Sequence, residues 1–181
     1  MQIPFTAYAD DCTVRGEIAL GVDRLSDLLA STTEYEVKKP SFRALDDGRE
    51  VKAESCSVLR DDLCIVVATG PRGRADRRIW TRQHPVRVRV GPYVVLGYMH
   101  APPTIDPMRT TDRRPIVALT SCVVGFAEGE TPMWVEADTL LINTHKIVVL
   151  ETAHAEDLGL AANLPPPSKK DARAKDMTAA N

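Results

Sequence analysis

Two stretches of this chain lie on one another without a gap. Gln2–Ile18, QIPFTAYADDCTVRGEI, matches Gln83–Met99, QHPVRVRVGPYVVLGYM, at a constant offset of 81, so that Gln2 falls on Gln83, Pro4 on Pro85, Val14 on Val95 and Gly16 on Gly97. Phe5, Ala7, Ala9 and Ile18 meet the apolar Val86, Val88, Val90 and Met99. Both copies alternate with period two, which predicts a β-hairpin with one buried face in each. A sequence that makes the same hairpin twice is tightly constrained, because it must fold as two similar halves.

The rest of the chain extends the match. Gly21-Val22-Asp23 leads into RLSDLLA, Arg24–Ala30, a helical turn or two with Asp23 as cap and Leu25, Leu28 and Leu29 on one face. Its counterpart starts at Thr104-Ile105-Asp106-Pro107, with Asp106 as cap and Pro107 in the first helical position. Glu34–Leu45 reads as a strand interrupted by Pro40, at an edge or a bulge, and Ile116–Phe126 as its counterpart. The turns at Gly48 and Gly129 again stand 81 apart. Beyond them one inserted residue brings Leu59, Ile65, Val66 and Val67 onto Leu141, Ile147, Val148 and Val149 at an offset of 82. The expected closing elements are hairpins around Arg60-Asp61-Asp62 and across Leu140–Leu150. CIVVA, Cys64–Ala68, is continuously apolar and reads as the most buried strand of its half. In mid-strand, Gly16 and Gly97 mark a bulge or a close approach of another backbone.

The expected fold is mostly β: two tandem, pseudo-symmetric small β-barrel-like units, each with one short helix. The first occupies 1–70, an arginine-rich linker 71–81 and the second 82–153, followed by a flexible tail over 154–181 with a short helical start at Glu156–Ala162. Units of about 65 residues are near the lower limit for folding alone, so the halves should pack on one another. Aromatic residues make up only 5% of the chain, which leaves Val, Ile and Leu to fill the interior. Trp80 should dock on one of the halves.

Charge and chemistry narrow the function. A net charge of −2 argues against a chain built wholly to grip nucleic acid, though not against a local basic patch. No apolar run reaches the roughly 18 residues of a membrane span, and the N-terminus lacks the pattern of a signal peptide, so a cytoplasmic protein is expected. Cys12, Cys56, Cys64 and Cys122 lack metal-ligand spacing and read as reduced, buried thiols. No nucleophile elbow, phosphate loop, dinucleotide fingerprint or zinc-protease motif is present, and His84, His100, His145 and His154 stand apart from one another. No catalytic residue, metal ligand or cofactor is implied.

Arginine is the remaining signal. Arg72, Arg74, Arg77, Arg78, Arg82, Arg87 and Arg89 accompany a single acid, Asp76, and Arg109, Arg113 and Arg114 follow. In Val86-Arg87-Val88-Arg89-Val90 the valines should face inward and both arginines outward, where guanidinium groups can hold phosphate or carboxylate. The plain alternative is a solvated face with salt bridges to the acid-rich first half. Arg109-x-x-x-Arg113 resembles the arginine pair of the cyclic-dinucleotide-binding PilZ barrels, but their companion [DN]-x-[SA]-x-x-G stretch is absent.

The strand glycine, the LSDLL-type helix, the glycine turn and the final VLRDDLCIVV or LLINTHKIVVL segment resemble small Sm-like or SH3-like barrel units. RLSDLL and HAPPTIDPMRTTDRRPIVALT are also similar to an uncharacterised family of bacterial proteins. Sm-like relatives usually bind RNA as rings, through a loop of Asn and Arg or Lys residues, and their usual arginine-glycine signature before the last strand is missing here. The expected function is therefore a non-catalytic binding or assembly module that recruits a protein partner or self-associates, with nucleic-acid or nucleotide binding through the arginine face as the alternative. The structural positions are Gly16, Gly48, Gly97 and Gly129.

Overall fold

In the computed structural model, which describes residues 1–71 and 79–154 and only the backbone at 110, 112 and 113, the chain is mostly β and forms one antiparallel sheet. The first half contributes β1 (Gln2–Ala9), β2 (Cys12–Ala19), α1 (Leu25–Ser31), β3 (Glu34–Ala44), β4 (Glu50–Lys52), β5 (Ser55–Leu59) and β6 (Leu63–Val67). The second half contributes β7 (Arg82–Val90), β8 (Tyr93–Ala101), β9 (Ile116–Glu128), β10 (Thr131–Asn143) and β11 (Ile147–Thr152). Strands pair in the order β11-β7-β8-β9-β10-β6-β1-β2-β3-β4, with β5 beside β4 on the same side of β3. Ladder order is thus β6-β1-β2-β3-β5 in one half and β11-β7-β8-β9-β10 in the other.

The glycines explain how the strands bend. β2 slips against β3 between Arg15 and Glu17, at Gly16, and β8 slips against β9 between Leu96 and Tyr98, at Gly97. Opposite each glycine, one residue of the facing strand takes a positive φ, Lys39 at 48° and Ser121 at 49°. A Cβ on Gly16 would stand 2.6 Å from Val37 Cγ1 and 2.8 Å from the Lys38 carbonyl oxygen. One on Gly97 would stand 2.8 Å from Cys122 Sγ and 3.2 Å from the Thr120 carbonyl oxygen. Both bulges exist because the missing side chain lets the facing backbone close in. Gly48 and Gly129 take positive φ at the β3–β4 and β9–β10 turns.

Several expectations need correction. The sheet is not closed: β6 and β10, the strands on which separate barrels would depend, pair with each other and carry the ladder from one half into the other. β5 and β6 do not form a hairpin, nor do β10 and β11. A 3-10 turn at Arg60–Asp62 sends β6 across to β1, and one at Thr144–Lys146 sends β11 across to β7. Those pairings also change the offset. Leu63 and Ile65 stand opposite Ala9 and Tyr8, and Ile147 and Val149 opposite Val90 and Arg89, so the last strands correspond at 84, not 82. The cap of α1 is Arg24 and carries no side-chain bond, leaving Asp23 outside. In the second half the helical segment is a 3-10 turn, Pro107–Arg113, with Asp106 Oδ1 accepting from the Met108 N–H at 3.0 Å. The linker residues 72–78 and the expected tail from 155 onward lie outside the described residues.

Two cores lie on opposite faces of the β6–β10 junction, and each borrows from the other half. Tyr8, Leu45, Cys64 and Ile65 pack with the second half's valines, Tyr93 and Phe126. Ile116 and Leu141 pack with Phe5, Leu25, Leu29 and the first half. The Tyr8, Tyr93 and Phe126 rings meet edge to face at 5.4–5.8 Å. No helix among the described residues is long and apolar enough to cross a membrane.

Candidate functional site

Three places could carry function: the arginine strand, the polar cluster at the junction of the halves, and the outer edges of the sheet.

On β7, Val86, Val88 and Val90 are fully buried, and Arg87 and Arg89 lie on the opposite face, as the alternation predicts. Arg87 Nη1 stands 3.6 Å from Glu151 Oε1 on the neighbouring β11. Its acid therefore comes from its own half, because β11 is the strand that pairs with β7. The expected bridges from these arginines to the first half do not occur among the described residues. Pairs that do link the halves are Arg43 with Glu128 and Lys146 with Asp10, each at 2.5 Å. Trp80 does not dock on either half: it is 70% exposed, and the Arg82 guanidinium lies 6.0 Å from its ring centroid. The indole is covered on one face by a cation instead of by a core. Arg109 and Arg114 are exposed on and just after the 3-10 turn, and no described contact joins them to the arginines of β7. Arg72, Arg74, Arg77 and Arg78 lie outside the described residues, as does the side chain of Arg113.

The junction cluster centres on Asp10, in the β1–β2 turn. Its Oδ1 accepts from the Cys64 thiol at 3.1 Å and its Oδ2 from Lys146 Nζ at 2.5 Å. Burial, then the hydrogen bond and charge of Asp10, push the Cys64 thiol well above its ordinary value. That is the reverse of activation, since the nucleophilic form of cysteine is the thiolate. Burial disfavours the Lys146 charge, but the hydrogen bond and charge of Asp10, together with Cys64 and Asp62, leave the pKa raised. Nearby, Tyr93 O–H donates to the Ala9 carbonyl at 2.6 Å. Asn143, 2% exposed, donates through Nδ2 to the Arg60 and Leu63 carbonyls at 3.1 and 2.9 Å and accepts the His145 N–H at Oδ1. All of these bonds except Cys64–Asp10 and His145–Asn143 tie one half to the other. The sequence carries a signal for Asn143 in hindsight, a lone amide ending the apolar run Leu140-Leu141-Ile142.

His100 bridges two hydroxyls, Thr81 Oγ1 at 3.3 Å and Thr120 Oγ1 at 2.7 Å, as a hydrogen-bonded histidine. His84 Nε2 is buried with no hydrogen-bond partner among the described residues. All four cysteines are free, with Cys64 and Cys122 buried and Cys12 and Cys56, against expectation, only half-buried.

The edges are the third place. Among the described residues β11 has only β7 as a ladder partner, and β4 and β5 have only β3. Three of the exposed large apolar side chains lie on these strands: Val51 on β4, Leu59 on β5 and Val149 on β11. An unpaired strand with apolar side chains is a template for another strand. No family model matches the chain, and no curated protein or solved structure matches it.

Proposed function

We propose that this chain is a non-catalytic binding and assembly module. It is built from two tandem, pseudo-symmetric, barrel-like units of the Sm-like or SH3-like kind, and its outer sheet edges recruit a protein partner or a further copy. The tandem part of this reading is supported by the paired bulges at Gly16 and Gly97, with Lys39 and Ser121 in matching backbone conformations opposite them. The observation that carries the functional part is that the halves are already joined by strand pairing, β6 with β10, while β5 and β11 each have a single ladder partner among the described residues. Strand addition to such an edge supplies affinity through main-chain hydrogen bonds. Light scattering on the full chain should give a mass above the 19.9 kDa monomer, or a stoichiometric complex with a partner. Val149→Lys or Leu59→Lys should weaken either association. A strictly monomeric chain without a partner contradicts the reading.

Nucleic-acid binding is the second reading, and the exposed Trp80 beside Arg82 favours it, because bases stack on an accessible aromatic face. Retention on heparin and mixed oligonucleotides should then fall steeply with salt. Arg87→Ala with Arg89→Ala should lower the slope of log affinity against log salt by roughly 1–2. Retention that does not depend on salt removes this reading.

A further inference from the structure

β11 has the composition of an interior strand and the position of an edge strand. Ile147, Val148, Val149 and Leu150 are apolar on both faces, a pattern that suits strands covered on both sides. β6, Leu63-Cys64-Ile65-Val66-Val67, has the same pattern and is paired on both sides, by β1 and β10. There Ile65 is fully buried, whereas Val149, which holds the corresponding ladder position in β11, is 39% exposed. At the far end of the molecule, Val58 on β5 faces Tyr35 as Ile142 on β10 faces Val117. The two open edges are thus the counterparts of the two strands that meet in the middle. Neither Ser55–Leu59 nor Ile147–Leu150 contains the lysine or proline with which exposed edges are ordinarily protected.

We infer that β11 of one copy pairs antiparallel with β5 of a second copy, in the register of the β6–β10 junction. In that junction Leu140, Leu141 and Ile142 face Val67, Val66 and Ile65. Carried to the open edges, the same register sets Cys56 against Glu151, Ser57 against Leu150 and Val58 against Val149. The inference rests on the edge-assembly reading above and names its partner. Because the two surfaces differ, the contact is head-to-tail, and copies add until they close a ring or run on as a filament. The junction between copies is weaker than the internal one. Arg89 stands in the place of Tyr8, Cys12 in that of Tyr93 and Ala44 in that of Phe126, so the aromatic triangle is not reproduced, and assembly depends on concentration.

Glu151→Cys tests this in the full chain with the native Cys56 as its target. Residues directly opposite in an antiparallel pair have Cα atoms about 4.5–5.5 Å apart, within reach of a disulfide. Mild oxidation should give a non-reducing ladder of dimers and higher species, with a peptide joining 56 to 151, and the ladder should vanish when Cys56→Ser is added. Val149→Lys should also abolish it and reduce sedimentation to the monomer, with the circular dichroism spectrum unchanged. Association that survives Val149→Lys, or a ladder indifferent to Cys56→Ser, overturns both this register and the edge reading. A monomer that forms no ladder, yet holds another protein in a complex that Val149→Lys disrupts, overturns only the second copy as partner.

Discussion

Gly97 is where the second half bends, and it has no room for a methyl group. With Cys122 Sγ at 2.8 Å and the Thr120 carbonyl at 3.2 Å from the position of a Cβ, Gly97→Ala should push β9 aside and cost about 1–3 kcal/mol in urea unfolding. Asn143→Ala should cost about 1–3 kcal/mol by the same measurement, since it removes the buried side-chain donor to the Leu63 and Arg60 carbonyls, of which that of Arg60 keeps the Leu63 N–H. The buried thiols give a pH dependence. Burial pushes Cys122 up to about 12, against some relief from the Leu140 backbone, from an ordinary value of 9.0. The folded pKa is raised, so its stabilisation is complete below about pH 9 and is lost as pH rises toward 12, at no more than about 1.4 kcal/mol per pH unit. Urea midpoints between pH 8 and 11 should fall with pH, and Cys122→Ala should flatten that fall. At this scale the glycines were legible, because a missing Cβ within an alternating strand is a local anomaly. Lys39 and Ser121 were not, because neither residue type advertises a positive φ; the facing glycine imposes it.

At the scale of elements, most strands were legible from their alternation, and their partners were less so. β5 and β6 are separated by three residues, as are β10 and β11, and a gap of that length suits a hairpin as well as a 3-10 crossover. The crossover wins because β6 and β11 are apolar on both faces and gain more by lying beside β1 and β7 than by folding back. The same property makes β11 the element to alter. Val149 is partly exposed, so Val149→Lys should change the stability of the monomer by no more than about 0.5 kcal/mol in chemical denaturation. Its effect should appear in association, as a rise in the concentration needed to form the larger species in sedimentation velocity.

At the scale of the whole molecule, the matching bulges at Gly16 and Gly97 were legible in the spacing of residues, but the continuity of one sheet through both halves was not. Periodicity says which face of a strand is buried and nothing about which half buries it. Each core takes residues from both halves, and Asn143, Tyr93 and the Asp10–Lys146 pair cross between them. The chain should therefore unfold in one calorimetric transition, with neither 1–71 nor 79–154 folding alone, whereas two resolved transitions would mean that the shared cores couple little. Alternation puts the arginines of β7 on its outer face, but it says nothing of the acid beside Arg87, which depends on β11 crossing to pair with β7. The central claim is that the sheet continues from one molecule into the next. Amide hydrogen exchange across a concentration series tests it most directly. Amides of Ser55–Leu59 and Ile147–Thr152 should gain protection together as concentration rises, and Val149→Lys should abolish that gain. Edge amides that exchange at one fast rate at every concentration would contradict it.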